Sequence, residues 1–317
     1  MIAVVVPNPS LDKTVIIPDF AVGQLYRPAQ VMTLAGGKGF NFARALHTLG
    51  QQSLLLAPAG GHAGQLLLKL AQQEGLVCER IAVEGELRTC LTIVDPSADY
   101  RVTELYERGA PLETGAWERL VSETARHLSQ ANFLAVCGSF LPGTPTRGLY
   151  DLMLQARSAA VPVLLDTYGP QLAEALELGP ALLKINQFEA SELVGQSLTS
   201  PVQAIAGAAE LQRRGAKAVV ITLGKQGAVG ITAEGHSFAW AAPEVAALCP
   251  TGSGDCLFAG IASSLVQGWS LPEAVRMGIA AGAANTLQIG AGQFDFAQVQ
   301  RLFEIIQPIE EQDYGQN

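Results

Sequence analysis

Two short glycine-rich segments, each leading into a helix-period run, carry the residue types that chemistry on an anion requires. One is Pro250-Thr251-Gly252-Ser253-Gly254-Asp255, directly before the apolar run Cys256–Val266. Glycines at 252 and 254 let the backbone turn its N–H groups inward, and a helix start adds unpaired donors, so the segment reads as an anion-binding nest. Such a nest suits a phosphoryl group in transfer. Asp255 falls in the first helical turn, where the helix dipole is expected to favour its ionised form, and a carboxylate there can take a proton from a hydroxyl. Alone, Gly-Ser-Gly-Asp is equally what a helix N-cap after a turn looks like.

The other segment is Ala35-Gly36-Gly37-Lys38-Gly39-Phe40-Asn41, before the helix-period run Asn41–Leu49. It is not a P-loop, because that motif ends in Lys-Ser or Lys-Thr and here Gly39 and Phe40 follow the lysine. A lysine between glycines at a helix start still suits a compact anion such as a sugar phosphate, although a simple turn explains the segment as well.

Short polar clusters stand at the ends of apolar runs. Asn8 to Asp12 follows Ile2–Val6, and Gly138-Ser139 follows Phe133–Cys137. Asn186-Gln187-Phe188-Glu189 follows Leu182–Ile185, and Thr222 to Gly227 follows Ala218–Ile221. In an open parallel sheet the ligand crevice lies beyond the carboxyl ends of the strands, where such clusters converge. Asp166, which closes the run Val161–Asp166, reads as a crevice residue or as a cap.

The elements that must position these groups follow from periodicity. The apolar runs above, with Ser53–Ala57, are predicted buried strands, and their continuous apolarity means that both faces are covered. Helix-period segments lie between them at Asn41–Leu49, Ala63–Gln73, Trp117–Leu128, Thr146–Ser158, Pro170–Leu178 and Pro201–Arg213. Two small-residue helices are predicted at Gly254–Gln267 and Pro272–Leu287, after a hairpin formed by Ala228–Thr232 and Ser237–Trp240. This alternation predicts an α/β fold with a mainly parallel sheet sandwiched between helices. Two stretches break the rhythm. Lys13–Ile17 with Arg27–Leu34, and Thr89–Val94 with Arg101–Tyr106, read as antiparallel strands of a small outer sheet or as two surface hairpins. The expected division is therefore a main body of residues 1–12, 35–88 and 107–310, an outer β-sheet lid of 13–34 and 89–106, and a flexible tail at 311–317. Fraying is expected from Gln307 onward.

Composition narrows the class of protein. The 317 residues are 49% hydrophobic and 15% charged, which fits a folded domain with a large core. The formal charge of −9 disfavours non-specific binding to nucleic acid or acidic membranes, so an anionic ligand needs a local cluster of cations. The five cysteines are odd in number and lack Cys-x-x-Cys spacing, which reads as small buried hydrophobes in a reducing cytoplasm. His47, His62, His127 and His236 are scattered and show no metal-binding spacing. No signal peptide or apolar run of membrane-spanning length is expected.

With these residues in view, the chain resembles the ribokinase-like (PfkB) carbohydrate kinase family over Asn8 to about Gly292. The resemblance rests on Gly36-Gly37-Lys38-Gly39-Phe40-Asn41 with Ala43-Arg44-Ala45-Leu46, on Pro250 through Gly260, and on Asn186-x-x-Glu189 between them. The lysine at 38, the Asn-Pro-Ser-Leu-Asp opening and Arg88-Thr89 are similar to the tagatose-6-phosphate kinase and 1-phosphofructokinase branch.

That resemblance implies an ATP- and Mg²⁺-dependent kinase that phosphorylates a ketohexose monophosphate: fructose 1-phosphate, fructose 6-phosphate or tagatose 6-phosphate. It implies Asp255 as the base and the amides of Gly252, Ser253 and Gly254 as the anion hole. Asp12, Gly37, Gly39 and Asn41 would hold the sugar, and Lys38, Arg88, Ser139 and Arg27 its phosphate. Asn186 and Glu189 would organise Mg²⁺ and its waters, with Asn186, Thr222, Gly224 and Gly227 at the ATP. It further implies a lid over the sugar site. The apolar Val15, Ile17, Leu91 and Ile93 on the lid's other face then suggest a cytoplasmic homodimer paired through the lids. Cys249 stands where many relatives carry Asp, which leaves a monovalent-cation site in doubt, and Ile185 and Phe40 also depart from the pattern.

Kinases of unphosphorylated sugars or nucleosides are the same-class alternative. Lys38 and Arg88 argue against them, because two cations beside a neutral hydroxyl would go unpaired. A non-catalytic sugar-phosphate sensor is the other alternative, and Asp255, Asn186 and Glu189 argue against it.

Overall fold

The computed structural model describes residues 1–310. The strands are β1 (Ile2–Val5), β2 (Ser10–Ile16), β3 (Gln30–Gly36), β4 (Ser53–Ala59), β5 (Val77–Ala82), β6 (Thr89–Asp95) and β7 (Arg101–Tyr106). They continue with β8 (Phe133–Cys137), β9 (Val163–Asp166), β10 (Leu182–Asn186), β11 (Val219–Thr222), β12 (Ala228–Ile231) and β13 (Ser237–Trp240). The helices are α1 (Lys38–Thr48), α2 (Gly61–Gln73), α3 (Ala116–His127), α4 (Gly148–Ser158) and α5 (Pro170–Leu176). After them come α6 (Gln187–Val194), α7 (Pro201–Arg213), α8 (Ser253–Val266), α9 (Leu271–Thr286) and α10 (Phe296–Ile305).

Nine strands form one sheet in the order β13-β12-β11-β10-β9-β8-β1-β4-β5, parallel from β11 to β5 with an antiparallel hairpin β12–β13 at one edge. Continuous apolarity is explained by the two cores. Ile2 and Val4 of β1 face one cluster with α1, α8 and α9, while Ala3 and Val5 face another with α3, α4 and α7. Strand side chains alternate between faces, so every position of β1 has a buried destination. The chain runs from β1 outward to β4 and β5, then returns to place β8 on the other side of β1. That reversal is a topological switch point, where α/β sheets open their crevice. Asn8 after β1 and Ser139 after β8 meet there, Asn8 Nδ2 donating to Ser139 Oγ at 3.1 Å.

The outer sheet has the order β3-β2-β6-β7. It differs from the antiparallel expectation at its centre, where β2 and β6 run parallel, while β2–β3 and β6–β7 are antiparallel. The chain leaves the sheet between β3 and β6 to build α1, β4, α2 and β5, and parallel partners require such a crossover. Val15, Ile17 and Ile93 are already buried within the single chain, under Phe20 and Tyr26. The loop 17–29 therefore covers the face that the sequence left to a second copy.

Three elements escaped periodicity. β5 is an edge strand whose Cys78, Glu79 and Arg80 interrupt the apolar run, α6 is a single short helix, and α10 follows a glycine-rich turn. Residues 307–309 do not fray: Pro308 bridges Trp240, and Ile309 N–H donates to the Ala239 carbonyl. The 311–317 tail lies outside the described residues. Among the described residues all five cysteines are free, and no helix is long and apolar enough to cross a membrane.

Candidate active site

A cavity of about 690 Å³ opens at the switch point between the two sheets. Asn8, Asp12, Lys38, Asn41, Arg88, Ser139, Asn186 and Asp255 are among its lining residues, drawn from six separate stretches of chain. A second cavity of about 620 Å³ shares Thr222, Gly224 and Gly254 with it and is walled by apolar Ala242, Val245, Leu257, Ile279 and Ala283. Together they offer a polar chamber continuous with an apolar cleft, the arrangement a nucleotide with a polar acceptor would need.

Phe42 of α1 packs on Phe258 of α8 with ring centroids 5.0 Å apart, which brings the two glycine-rich helix starts together. At the start of α8, Gly252 has φ +83°, a left-handed conformation that favours glycine. Ser253 N–H turns back to the Pro250 carbonyl at 3.1 Å, and Asp255 N–H to the Gly252 carbonyl at 3.1 Å. Among the described residues the Gly252 and Gly254 amides have no such partner. The anion hole expected of 252–254 is thus reduced to two free amides, with Ser253 facing the second cavity.

Asp255 is buried, and Asn41 Nδ2 donates to its Oδ2 at 2.9 Å. The helix dipole was expected to favour the carboxylate, but burial dominates, and the nearby Asp166 adds to it. The Asp255 carboxyl is pushed up to about 7, with Lys38, Lys184 and Asn41 opposing. A carboxylate of that basicity is a far better proton acceptor near neutrality than an ordinary one.

Asn41, expected on the sugar, instead points its amide at Asp255 because Arg44 fixes it. Arg44, one turn further along α1, donates through Nη1 to Asn41 Oδ1 at 3.1 Å and to the Ala291 carbonyl at 2.8 Å. Its Nη2 donates to the Ala35 carbonyl at 2.6 Å and its Nε pairs with Glu74. With Oδ1 occupied, Asn41 can present only its Nδ2 to Asp255. The sequence motif Ala43-Arg44-Ala45-Leu46 included Arg44 but gave it no role; the signal was an arginine set between two alanines in a helix.

Asp12 accepts from Ser10 Oγ at 2.6 Å and from Gly37 N–H at 3.2 Å, and burial pushes its carboxyl up. Gly37, at φ +91°, lines the cavity beside it. Arg88 stands on the same side, its Nη2 on the Asn8 carbonyl at 3.0 Å. Lys38 does not join Arg88. Its ammonium pairs with Asp166 at 2.9 Å and Glu189 at 3.4 Å, which raises its affinity for the proton. Lys184, buried in the middle of β10, holds the other Asp166 oxygen at 2.9 Å. Asp166 is thus a bridge between two lysines, a role that neither the strand end nor its spacing announced.

Asn186 and Glu189 have a structural role that the sequence reading missed. Asn186 caps α6, its Oδ1 accepting from the Phe188 and Glu189 amides at 2.9 Å each, while Glu189 Oε2 accepts from Asn186 N–H at 3.0 Å. This is a capping box, whose signature is a short polar residue followed three positions later by Glu. Asn186 lines the cavity, whereas Glu189 reaches it only through Lys38. The carboxylate oxygens of Asp166 and Glu189 are the hard donors a divalent cation such as Mg²⁺ takes, so the donor set fits that ion. Gly39 and Arg27 are not brought to the cavity. A Cβ at Gly39 would lie 2.4 Å from Val6 Cγ2, so this glycine seats α1 on β1, and Arg27 sits on the exposed loop before β3.

The fold, the two linked cavities and the Asp255 environment define a phosphotransferase-like site, and comparison with known proteins gives its family. The pfkB family carbohydrate kinase pattern matches residues 8–296. The chain belongs to that family of ATP-dependent kinases with hydroxyl acceptors. It is 33% identical to the ATP-dependent 6-phosphofructokinase isozyme 2 of Mycobacterium tuberculosis (strain CDC 1551 / Oshkosh), over 94% of this chain and 87% of that one. It is 28% identical to the 1-phosphofructokinase of Bacillus subtilis, over 94% of this chain and 96% of that one. The crystal structure of phosphofructokinase-2 from Escherichia coli in complex with substrates and products superposes with a TM-score of 0.89 at 30% identity, covering 96% of this chain and 98% of that one.

Proposed function

We propose that the protein transfers the γ-phosphoryl group of ATP to a ketohexose monophosphate, with Asp255 as the general base. The observation that carries this reading is the Asp255 carboxyl, raised to about 7 by burial and set beside the two free amides of Gly252 and Gly254. A base and an anion hole at one helix start are the two parts that in-line phosphoryl transfer needs. The kinship with 6-phosphofructokinase isozyme 2 and 1-phosphofructokinase gives the substrate class.

In this reading the acceptor hydroxyl lies against Asp255 Oδ1, because Oδ2 is held by Asn41. Its proton passes to the carboxylate as the O–P bond forms and the bond to the ADP oxygen breaks. The Gly252 and Gly254 amides meet the charge on the equatorial oxygens. Arg88 and Ser139 hold the phosphate already on the sugar, and Asp12 takes ring hydroxyls. Thr222, Gly224 and Gly227 border the nucleotide, whose base fits the apolar cleft of Val245, Leu257 and Ile279. Glu189 and Asp166, with Asn186 through water, would hold Mg²⁺, which would neutralise nucleotide phosphate charge. The lid loop leaves Val22 and Leu25 exposed, at 95% and 76%, and these support a homodimer through the lids. Arg27, on the same loop, would then face the partner copy.

ADP release measured with fructose 1-phosphate, fructose 6-phosphate, tagatose 6-phosphate, ribose and adenosine tests the assignment. Turnover of at least one ketohexose phosphate is expected to exceed that of ribose and adenosine by 10² or more, since a built phosphate site rejects ligands that leave its cations unpaired. Turnover of ribose or adenosine alone overturns it, as does sugar phosphate binding without ATP consumption under any divalent metal.

A further inference from the structure

The family resemblance puts Lys38 on the phosphate of the sugar and Glu189 at the divalent cation, yet in the folded chain the ammonium of Lys38 is paired directly with Asp166 and Glu189. Asp166 and Glu189 together present four carboxylate oxygens, and the free protein satisfies every one. Asp166 Oδ2 takes Lys184 at 2.9 Å, and Glu189 Oε2 takes the Asn186 N–H at 3.0 Å. The remaining two, Asp166 Oδ1 and Glu189 Oε1, both take the Lys38 ammonium, at 2.9 and 3.4 Å.

These partners are not equally free to leave. The Lys184 side chain is only 4% exposed, and the Asn186 N–H belongs to the cap of α6. Lys38 is the first residue of α1, follows the left-handed Gly37, lines the cavity and keeps 29% of its side chain exposed. Its four-carbon stem lets the ammonium swing without moving the backbone. Lys38 is therefore the partner that can be exchanged.

We propose that Lys38 is an internal counter-cation. It occupies the place of a divalent cation against Asp166 and Glu189, and yields it when phosphate oxygens entering the cavity offer the ammonium another partner. This inference rests on the kinase reading for the origin of the phosphate, but not for the exclusion of metal. Two like charges a few ångströms apart in a site of reduced dielectric repel strongly, so a divalent ion entering beside a resident ammonium binds poorly. Drawing the ammonium onto a phosphate removes the repulsion and exposes two carboxylate oxygens at once. Metal and phosphate then bind with positive coupling, and linkage makes the effect reciprocal.

The test uses the full chain and Mn²⁺ alone, titrated by electron paramagnetic resonance with no nucleotide, sugar or turnover. Replacing Lys38 by Met or by Gln is expected to tighten Mn²⁺ binding at least tenfold over the wild type, and Lys38→Arg, which keeps the charge, to restore weak binding. Adding Glu189→Gln to Lys38→Met should abolish the gain. Thermal melts identify which variants are folded, and two neutral replacements guard against the failure of either. Equal Mn²⁺ affinity in wild type and both neutral variants overturns the proposal, as does a gain that survives Glu189→Gln. Because the titration involves no substrate, its outcome is independent of whether ketohexose phosphates are turned over.

Discussion

The two glycine-rich helix starts look alike in sequence and do different work in the structure. At Gly36–Gly39 the missing side chains make room for other protein atoms. A Cβ on Gly36 would lie 2.0 Å from Asp12 Cγ, and one on Gly39 2.4 Å from Val6 Cγ2. At Gly252–Gly254 a Cβ on Gly252 would crowd Ala291 at 2.7 Å, but one on Gly254 would meet only the Lys184 ammonium at 3.1 Å, on the cavity side. The first turn is built for packing and delivers Lys38 and Asn41. The second leaves amides open and delivers Asp255. A glycine pattern thus identifies a tight turn, while the neighbours that fill or leave the space decide whether it binds anything.

The largest test of this contrast is Asp255→Asn, which is expected to lower kcat by on the order of 10² to 10⁴ with little change in substrate affinity. Steady-state kinetics would show it, and a loss of less than about tenfold would move the base elsewhere. Arg88→Ala comes next: loss of a charge-assisted contact to phosphate should raise KM for the sugar phosphate about ten- to a hundredfold and leave KM for ATP nearly unchanged. An effect confined to ATP would place the nucleotide on the Asp12 side.

pH sharpens the comparison further. With its carboxyl at about 7, Asp255 loses activity as a base below that pH, so kcat/KM should fall about tenfold per unit beneath 7. Stability moves in the opposite sense. The folded protein holds the Asp255 proton more tightly than the unfolded chain, so this group's contribution is fully present below about 4 and is lost as pH rises towards 7. Asp255→Asn should therefore raise Tm relative to wild type at pH 8 and change it little at pH 4, as differential scanning fluorimetry would show. An equal shift at both values would mean that burial does not govern this carboxyl.

The smallest effects separate the two turns directly. Gly39→Ala is expected to cost about 1–3 kcal/mol of stability, because Val6 must move, with kcat per folded molecule retained. Gly254→Ala should cost less than about 1 kcal/mol but reduce kcat, since its methyl group would press on the Lys184 ammonium at the cavity wall. Urea melts paired with kinetics on the same samples decide between packing and chemistry at each turn.

Much of this was legible in the residues. Unbroken apolar runs such as Ile2–Val6 and Leu182–Ile185 can be buried only in a sheet covered on both faces, and the alternation with helix-period segments leaves little choice but a parallel sheet. The polar clusters at strand ends likewise had to converge, because parallel strands point their carboxyl ends the same way. Charge told that an anion would need local cations, and Gly252-x-Gly254-Asp255 told where a nest and an acid stand together.

Tertiary structure alone decided which groups touch. Arg44 fixes Asn41, Asp166 bridges Lys38 and Lys184, and Lys38 reaches Glu189 across 151 positions of sequence. No local pattern encodes such pairs, since each depends on how far one helix or strand slides past another. The same is true of the Asp255 carboxyl. Its sequence position predicts help from a helix dipole, whereas its acidity is set by the water that packing of α1, α8 and the sheet removes, and desolvation of a buried charge outweighs the dipole of one helix turn.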